Sequence, residues 1–392
     1  MKKRKAYIID RYSTGSYHEV INQGYLMMIA SLYNDVTYIG EISACANLRK
    51  ISAECGNELP NVKYIEKKSL THLNTKYGSL NYFFKIICIS LANVIHYIKT
   101  PKNVDVFFNN NLFFASIFIN VFALFKKNRV FTLCHNEMEW IDFNQAKTVP
   151  NKILWLYFLF FFKVAKISPY ITFILLSPKM VDYFSIHVSK KNRNRIHSID
   201  HCYIRPEGFF SVAKLPDNVI KVGIPGAITL TRGLPFFEKI VESSADLSLF
   251  IYSISYVTKK IVARNYVSLN QTGRLLDFLE YSCLVKAMDW LLFLYPKDSY
   301  RLTASGAVLE AIWNQKPIIA LRNHYFDYLF SKFGNLGILC DSEDELYHSL
   351  KKISEGHYRK EEYIKNLETA KKELKPDCVS KQLEKIIRAK GC

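Results

Sequence analysis

The sequence lacks several signatures that would assign it to a functional class at once. Its nine cysteines form no C-x-x-C pair, so the ligand spacings of a structural zinc site are missing. Several of them stand in apolar runs such as IICIS and GILCD, which is typical of reduced, buried thiols in a cytosolic protein. No helix-turn-helix, zinc-finger or RNP pattern occurs, and the basic residues are dispersed, which argues against nucleic-acid binding.

Long uninterrupted apolar runs are also scarce. The longest uncharged stretch, residues 106–125, contains four asparagines and is typical of a strand, a loop and a core helix. The run ILWLYFLFFF lies between Lys152 and Lys163 and is too short to cross a bilayer. At the N-terminus, only residues 6–9 are uncharged before Asp10, so we expect a buried strand and not a signal sequence. The sequence therefore predicts no transmembrane helix.

Acidic residues are few relative to basic ones. The chain has 35 Asp and Glu against 53 Lys and Arg, a formal net charge of +18, which favours anionic partners. A lysine-rich composition with a solvated surface would give the same count. In the first half, the stretches NYFFKIICISLANVIHYIK, LFFASIFINVFALFKKNR and KILWLYFLFFFKVAKISPY mix lysine with aromatic residues. Most of this apolar surface is expected in a core, but such helices also suit an anionic membrane interface, so we expect peripheral membrane attachment.

Short apolar runs alternate with helical patterns along all 392 residues, as in parallel sheets built from β-α-β units. Strands are predicted near residues 6–9, 35–39, 62–66, 104–108, 129–134, 171–176, 196–200, 219–224, 247–252, 290–294, 317–321 and 336–340. Helices are predicted near 17–33, 81–98, 112–126, 151–166, 179–189, 232–244, 275–287, 305–315, 325–332 and 343–353.

One segment, YIRPEGFFSVAKLPDN, interrupts this alternation with its prolines and glycine. We therefore predict an N-terminal Rossmann-like domain at 1–205, a linker at 206–218 and a second Rossmann-like domain at 219–358. The charged helical segment 359–392 is expected to pack back on the N-terminal domain. The predicted fold class is α/β, with two parallel sheets that face each other across a cleft, where ligands of such folds bind.

The stretch YRLTASGAVLEAIWNQKPIIALRN predicts a nucleotide diphosphate site in the second domain. A helix that begins at Ser305 and Gly306 presents free backbone N–H groups, and the glycine lets an anion approach. One turn later, the carboxylate of Glu310 can accept hydrogen bonds from vicinal ribose hydroxyls. An ordinary N-cap with a dipole-compensating acid would give the same pattern.

The same stretch resembles the donor site of GT-B fold glycosyltransferases, particularly the large retaining family of bacterial polysaccharide enzymes, glycosyltransferase family 4. Glu310 and Ala311 match the family's Glu-Ala, and QKPIIA matches its Pro-led strand. Upstream, VGIPGAITLTRGLPFFEKI is similar to the family's first strand and Lys-Gly turn, with Arg232 and Gly233 at the turn. The resemblance covers about residues 219–340.

The sequence departs from the family's pattern at two points. The family's first glutamate falls on Leu302, so a pair of carboxylates around the donor is absent. The basic residue that often follows the first strand's glycine falls near Ala227 or Ile228, which leaves Arg232 as the clearest cationic phosphate ligand.

The resemblance implies a glycosyltransferase, hexosyltransferase-like, that needs no cofactor beyond its nucleotide-diphosphate sugar. No D-x-D tripeptide occurs, so we expect no bridging metal. The amides of Ser305 and Gly306 and the side chain of Arg232 would then meet the charge of the leaving diphosphate, and Gly226 would let its loop approach the phosphates. The implied acceptor is lipid-linked or a saccharide, in capsule, O-antigen or lipopolysaccharide assembly on the cytoplasmic face of the inner membrane.

Acceptor-side groups are expected after two strands of the first domain. STGSYHEVINQG supplies Gly15, His18 and Glu19, and CHNEME supplies His135 and two glutamates, Glu137 and Glu139. Histidine or glutamate in these loops could bind sugar hydroxyls or act as the general base. We name His135, His18 and Glu19 as catalytic candidates, although a single histidine at a strand end is often structural.

Two other functions stay open on the sequence. A sugar-nucleotide epimerase on the same fold would need further acids in the cleft, and Glu19, Glu137 and Glu139 are compatible with that. A basic nucleic-acid-binding protein would use the charge of +18, and a steep salt dependence of DNA affinity would identify it.

Overall fold

A computed structural model describes residues 5–15, 18–70, 79–110, 114–142, 148–205, 215–216, 218–274, 276 and 278–390. The chain divides into two compact units. Unit 1 comprises Met1–Pro206, Leu302–Ala304 and Leu374–Cys392, and unit 2 comprises Glu207–Arg301 and Ser305–Glu373. Most of the predicted linker, 206–218, lies outside the described residues.

Unit 1 is built on a parallel sheet of seven strands in the order β3-β2-β1-β4-β5-β6-β7. The strands are β1 (Lys5–Asp10), β2 (Asp35–Glu41), β3 (Val62–Lys67), β4 (Asp105–Phe108), β5 (Arg129–Leu133), β6 (Ile171–Leu175) and β7 (Ile196–Ser198). Every residue of β4 and β6 is buried, as expected for strands covered by helices on both faces.

Helices connect these strands in sequence order. They are α1 (Glu19–Leu32), α2 (Ile42–Glu54), α3 (Leu80–Lys99), α4 (Phe114–Lys126), α5 (Val149–Leu159), which continues as a π-helical segment (Phe160–Val164), and α6 (Pro178–Ser185). The strand order runs outward from β1 in both directions, and β-α-β crossovers are right-handed. Consequently α1 and α2 cover one face of the sheet and α3 to α6 cover the other.

Unit 2 has a parallel sheet of six strands in the order β10-β9-β8-β11-β12-β13. The strands are β8 (Ile220–Ile224), β9 (Leu249–Ser253), β10 (Tyr266–Ser268), β11 (Trp290–Phe293), β12 (Ile318–Leu321) and β13 (Gly337–Cys340). The helices are α7 (Leu234–Ser243), α8 (Phe278–Lys286), α9 (Gly306–Trp313), α10 (His324–Phe333), α11 (Glu343–Ser354) and α12 (Glu361–Glu373). The two units are therefore both of the α/β class, with parallel sheets of seven and six strands.

The C-terminal segment divides between the two units. Helix α12 belongs to unit 2 and packs against α9 and α10, whereas α13 (Pro376–Ala389) belongs to unit 1 and packs against α1. Gln382 fixes α13 by accepting a hydrogen bond from the backbone N–H of Asp200 and by donating one to its carboxylate. The guanidinium of Arg129 makes two contacts: it forms an ion pair with Asp105, and it donates a hydrogen bond to the carbonyl of Ile387 in α13.

Two elements have no counterpart in the predicted pattern. Helix α2 buries small residues, among them Ala44 and Cys45, and its N-cap is Glu41, so neither a strong apolar stripe nor a Ser or Thr cap marks its start. Strand β10 has three residues at the edge of its sheet and is too short to show a period.

Candidate functional site

Each sheet reverses its strand order at its first strand. In unit 1, β1 lies between β2 and β4, and in unit 2, β8 lies between β9 and β11. The loops after the two central strands leave in opposite directions at such a point, which opens a crevice at the carboxyl end of the sheet. The residues after β1 and β4, and those after β8 and β11, are therefore where a ligand site is expected.

A buried hydrogen-bond network fills the crevice of unit 1. Asp10, the last residue of β1, accepts hydrogen bonds at Oδ1 from the backbone of Ser13 (3.0 Å) and at Oδ2 from Asn22 Nδ2 (3.0 Å) and the Tyr38 hydroxyl (3.1 Å). Asn109, which follows β4, donates to Asn22 Oδ1 at 3.3 Å. The network therefore fixes the start of α1 against the ends of β1 and β4.

Three histidines adjoin this network. The ring centroids of His18 and His135 are 5.2 Å apart, and that of His201 lies 6.4 Å from His135. Tyr25 of α1 packs between them, 5.2 Å from His135 and 6.2 Å from His201. We call these four residues the histidine cluster. Among the described residues, no group of three or more His, Cys, Asp or Glu is arranged to hold a metal ion.

Burial keeps the imidazoles of the cluster neutral. It lowers the pKa of His201 to about 4 and also that of His18 to about 4, and His18 Nδ1 is buried although the residue as a whole is partly exposed. The pKa of His135 is also lowered well below its usual range, by burial first and then by the neighbouring histidines. Neutral imidazoles can accept a hydrogen bond from a hydroxyl, but with such pKa values they are weak bases.

Glu137 has the pKa nearest to neutral in this region. Burial raises the pKa of its carboxyl to about 7, although Oε2 accepts hydrogen bonds from the backbone N–H groups of His135 (2.7 Å) and Asn136 (3.1 Å). A general base works best when its pKa lies near the operating pH. Glu137 therefore suits proton transfer better than the three histidines do.

Several buried polar atoms of this crevice have no hydrogen-bond partner within the described part of the chain. Gln23 is fully buried, yet both its amide oxygen and nitrogen are unpaired. His135, which is 5% exposed, leaves Nε2 unpaired, and Glu137 leaves Oε1 unpaired. An unsatisfied buried polar group costs about 1–3 kcal/mol. A hydroxyl-rich ligand would supply the missing partners.

Three of the residues predicted for the donor site surround one side chain in unit 2. Tyr295, just after β11, shares a hydrogen bond of 3.0 Å with the hydroxyl of Ser305 and stacks on Tyr300 at 4.2 Å. A Cβ on Gly226, after β8, would lie 3.3 Å from the Tyr295 hydroxyl. Ser305 is the N-cap of α9, with its side chain accepting from Val308, and Gly306 is the first residue of the helix. The structure therefore brings Gly226, Ser305 and Gly306 together around Tyr295.

Arg232 lies at the end of a short 3-10 turn that reaches the same crevice. The following residue, Gly233, has φ +82°, and a Cβ there would lie 2.2 Å from the carbonyl oxygen of Leu294, which adjoins Tyr295. Only glycine lets the turn approach this backbone so closely. The side chain of Arg232 is exposed and has no ion pair or hydrogen bond within the described residues.

The carboxylate predicted to bind ribose is fully buried. Oε1 of Glu310 accepts a hydrogen bond of 3.0 Å from Asn314 Nδ2, one turn later in α9. At Leu302, where the resembling family carries its first glutamate, another carboxylate is present: Oε1 of Glu139 accepts from the backbone of Leu302 at 3.0 Å and from the Thr303 hydroxyl at 2.8 Å. This contact lies within unit 1, and residues 302–304 immediately precede Ser305 in the chain.

The structure brings together some of the catalytic candidates and adds others. His18 and His135 are neighbours, whereas Glu19 is the partly exposed first residue of α1. Gln23 and Tyr295 were not predicted. Gln23 follows Asn22 in INQGY and Tyr295 precedes a proline after a strand, and no local pattern distinguishes either from an ordinary helix or loop residue.

Comparison with known proteins gives matches in structure alone. No protein-family model and no curated protein sequence matches this chain. Among solved structures, Anabaena Alr3699/HepE in complex with UDP and glucose has a TM-score of 0.62 at 11% identity, covering 98% of this chain and 100% of that one. The catalytic domain of starch synthase IV from Arabidopsis thaliana, bound to ADP and acarbose, has a TM-score of 0.65 at 10% identity, covering 100% and 99%. UGT89C1 of Arabidopsis thaliana, complexed with UDP-L-rhamnose, has a TM-score of 0.55 at 14% identity, covering 100% of both chains.

These similarities extend over essentially the whole chain and establish its fold, which is the one predicted from the sequence. With identities of 10–14%, they describe the architecture and leave the activity to be argued from the residues of the two crevices.

Proposed function

We propose that this protein is a glycosyltransferase that moves a sugar from a nucleoside-diphosphate donor to a hydroxyl of a lipid-linked or saccharide acceptor. The observation that carries the proposal is that Gly226, Tyr295 and Ser305 lie together in the crevice of unit 2. The turn that contains Arg232 packs against the end of the same strand. Ligands of open α/β sheets bind in such crevices. The structural neighbours were solved with UDP, with ADP or with UDP-L-rhamnose, which supports the donor class.

In the proposed reaction, the acceptor oxygen forms a bond to the anomeric carbon of the donor, and the bond from that carbon to the diphosphate breaks. The electron pair leaves with the diphosphate. We assign the resulting charge to the first backbone amides of α9, at Gly306 and Ala307, which have no acceptor within the helix, and to the guanidinium of Arg232. Gly226, which has no side chain, would let the loop after β8 approach the phosphates.

The proton of the acceptor hydroxyl needs a base, and we assign the acceptor to unit 1. Glu137 is the best candidate base, since its pKa of about 7 leaves a large fraction of carboxylate at neutral pH. The neutral imidazoles of His18 and His135 would accept hydrogen bonds from acceptor hydroxyls. We further propose that the pathway is surface polysaccharide assembly in bacteria, which rests on the sequence resemblance. Ribose binding by Glu310 stays a prediction from that resemblance, because its carboxylate is fully buried and bonded to Asn314.

A ligand panel tests the donor class directly. Thermal unfolding is measured with UDP, ADP, GDP, their sugar conjugates and, as controls, the matching nucleosides and inorganic phosphate. A ligand at 100 times its Kd stabilises the fold by about 2.7 kcal/mol, so at least one diphosphate should raise the Tm while its nucleoside raises it far less. No shift with any diphosphate or nucleotide sugar would overturn the proposal.

Metal independence belongs to the same proposal. Because the leaving diphosphate is assigned to backbone amides and Arg232, we expect transfer to continue in excess EDTA. Complete loss of transfer that Mg²⁺ or Mn²⁺ restores would contradict this assignment of the diphosphate.

A further inference from the structure

Three neighbouring helices of unit 1 expose an apolar surface that no described part of the chain covers. Helix α3 packs against α4, where the rings of Phe83 and Phe114 are 5.7 Å apart, and α4 packs against α5, where Phe114 and Tyr157 are 5.1 Å apart. The outward apolar residues of α3 to α5 and the π-helical segment, together called the apolar face, are Leu80, Phe84, Leu91, Ile95, Ile98, Phe118, Val121, Leu124, Phe125, Val149, Ile153, Leu156, Phe160 and Val164.

The apolar face has helical spacing on each element. In α5 and the segment after it, the exposed positions are separated by four, three, four and four residues, so they form one stripe along the helix. The opposite sides of the same helices are buried against the unit, for example at Ile89, Ile119 and Leu154. Each helix therefore has two apolar sides, one in the core and one facing outward. Contiguous exposed apolar surface of this kind marks an interaction site.

The charges on these helices are all of one sign. Helices α3, α4 and α5 and the π-helical segment contain no aspartate or glutamate, and their only charged side chains are five lysines: Lys85, Lys99, Lys126, Lys152 and Lys163. Protein–protein interfaces are depleted in lysine and enriched in arginine. Apolar and aromatic residues with lysine at the margins are instead typical of helices that lie in the interface of an anionic membrane.

We propose that the apolar face docks unit 1 on the surface of an anionic lipid bilayer. Among the described helices, α3 is the one with the length and hydropathy of a membrane span, but a third of that stretch is buried, and α4, which packs beside it, carries an outward apolar stripe of its own. This geometry suits three helices that lie along the bilayer surface with their lysines at the headgroups. The inference does not rest on the proposed function, since it concerns lipid binding without substrate.

Vesicle flotation of the full chain tests the proposal. At about 0.1 M salt, where the Debye length is about 10 Å, the protein should float with vesicles of phosphatidylglycerol and phosphatidylcholine and much less with phosphatidylcholine alone. Raising the salt to about 1 M should release most of it, because the Debye length then falls to about 3 Å. Equal binding to neutral vesicles, or no binding to anionic ones, would overturn the proposal.

Apolar substitutions locate the contact. Phe84, Phe125 and Leu156 are 60%, 72% and 57% exposed, one on each helix, so changing all three to Gln should leave the fold intact. Vesicle affinity should fall about a hundredfold or more, because burial of each large apolar side chain is worth about tenfold. The matched control is Ile42→Gln with Val262→Gln, two apolar residues that are 46% and 86% exposed, one on α2 at the opposite face of the sheet and one in unit 2, which should bind as the unchanged protein does. Unchanged binding of the triple variant would refute the proposal.

Lysine substitutions test the charge. Changing Lys99, Lys152 and Lys163 to Gln should lower affinity for anionic vesicles by about fivefold each, since a basic residue near an anionic surface contributes about 1 kcal/mol. The control changes the exposed residues Lys351, Lys352 and Lys365 of unit 2 to Gln, and it should bind anionic vesicles as the unchanged protein does.

Sedimentation without lipid tests the other possible occupant of the apolar face, which is a second copy of this chain. A dimer that the apolar triple variant abolishes, with no vesicle binding, would show that the face binds a second copy and would overturn the membrane proposal.

Discussion

The crevices of the two units differ in the kind of groups that they present. The crevice of unit 1 is crowded with titratable and amide side chains, several of which bury polar atoms that have no hydrogen-bond partner among the described residues, and its histidines are held neutral. That of unit 2 is built from glycines, a serine cap, two stacked tyrosines and the start of a helix, with one exposed arginine. The first can exchange hydrogen bonds and protons with hydroxyl groups, whereas the second can hold an anion by fixed dipoles and one cation. The same topology therefore supports two different tasks.

The largest effect should come from adding a side chain at Gly233, in the crevice of unit 2. Gly233→Ala places a Cβ where only 2.2 Å separates it from the Leu294 carbonyl, at a φ of +82°. We expect a loss of about 3 kcal/mol or more in the stability of unit 2 and, where the protein still folds, a loss of diphosphate binding. The control is Gly356→Ala, in the same unit at φ +76° with open space around it, which should cost about 1 kcal/mol. Hydrogen exchange of the β8 and β11 peptides over a denaturant series measures the stability of unit 2 in both variants; equal effects would contradict the close approach.

Acid should weaken unit 1 before unit 2. The pKa of His201 falls from 6.5 to about 4 on folding, so the unfolded chain binds more protons between these pH values. The stability from this residue is complete above pH 6.5 and is lost as the pH falls to about 4, by about 3 kcal/mol at most. Glu137 acts in the opposite direction, since its pKa rises from 4.5 to about 7 and its contribution is lost as the pH rises through that window.

Amide hydrogen exchange at pH 4.5 and 7 measures the acid response of each unit separately. Peptides of α1 and β5 report on unit 1, and peptides of α9 and β12 in unit 2 serve as the internal reference. His201→Asn should flatten the acid dependence of the α1 peptides and leave the reference peptides unchanged. An equal acid response in both units would show that the buried histidines do not set it.

A smaller effect is expected at Glu139. Its carboxylate holds Leu302 and Thr303, and a hydrogen bond to a charged group contributes about 1.5–3 kcal/mol. Glu139→Gln should therefore speed amide exchange at Leu302 by about tenfold or more. In a double-mutant cycle with Thr303→Val, the two changes should couple by about 1 kcal/mol. Additive effects would show that the contact contributes nothing to this segment.

The fold was predictable because its strands are uniform in character. The predicted strands at 104–108 and 171–176 match β4 and β6 to within one residue, since apolar runs bounded by polar residues mark buried parallel strands clearly. The crevices were less predictable. His18 and His135 are 117 positions apart, so only the strand order brings their rings together, and the contact of Glu139 with Leu302 joins residues that no local pattern relates.

We propose that the crevice of unit 2 binds the diphosphate and that the crevice of unit 1 binds the acceptor. The most direct measurement compares Arg232→Ala with His135→Ala and His135→Asn, by nucleotide affinity and by turnover, using the diphosphate that the ligand panel selects. We expect Arg232→Ala to weaken diphosphate binding about tenfold and nucleoside binding hardly at all, as for the loss of one charged hydrogen bond. Both His135 variants should bind the diphosphate normally and turn over about tenfold more slowly, as for the loss of one hydrogen bond to the acceptor. Loss of diphosphate binding in folded His135 variants as severe as in Arg232→Ala would contradict the account.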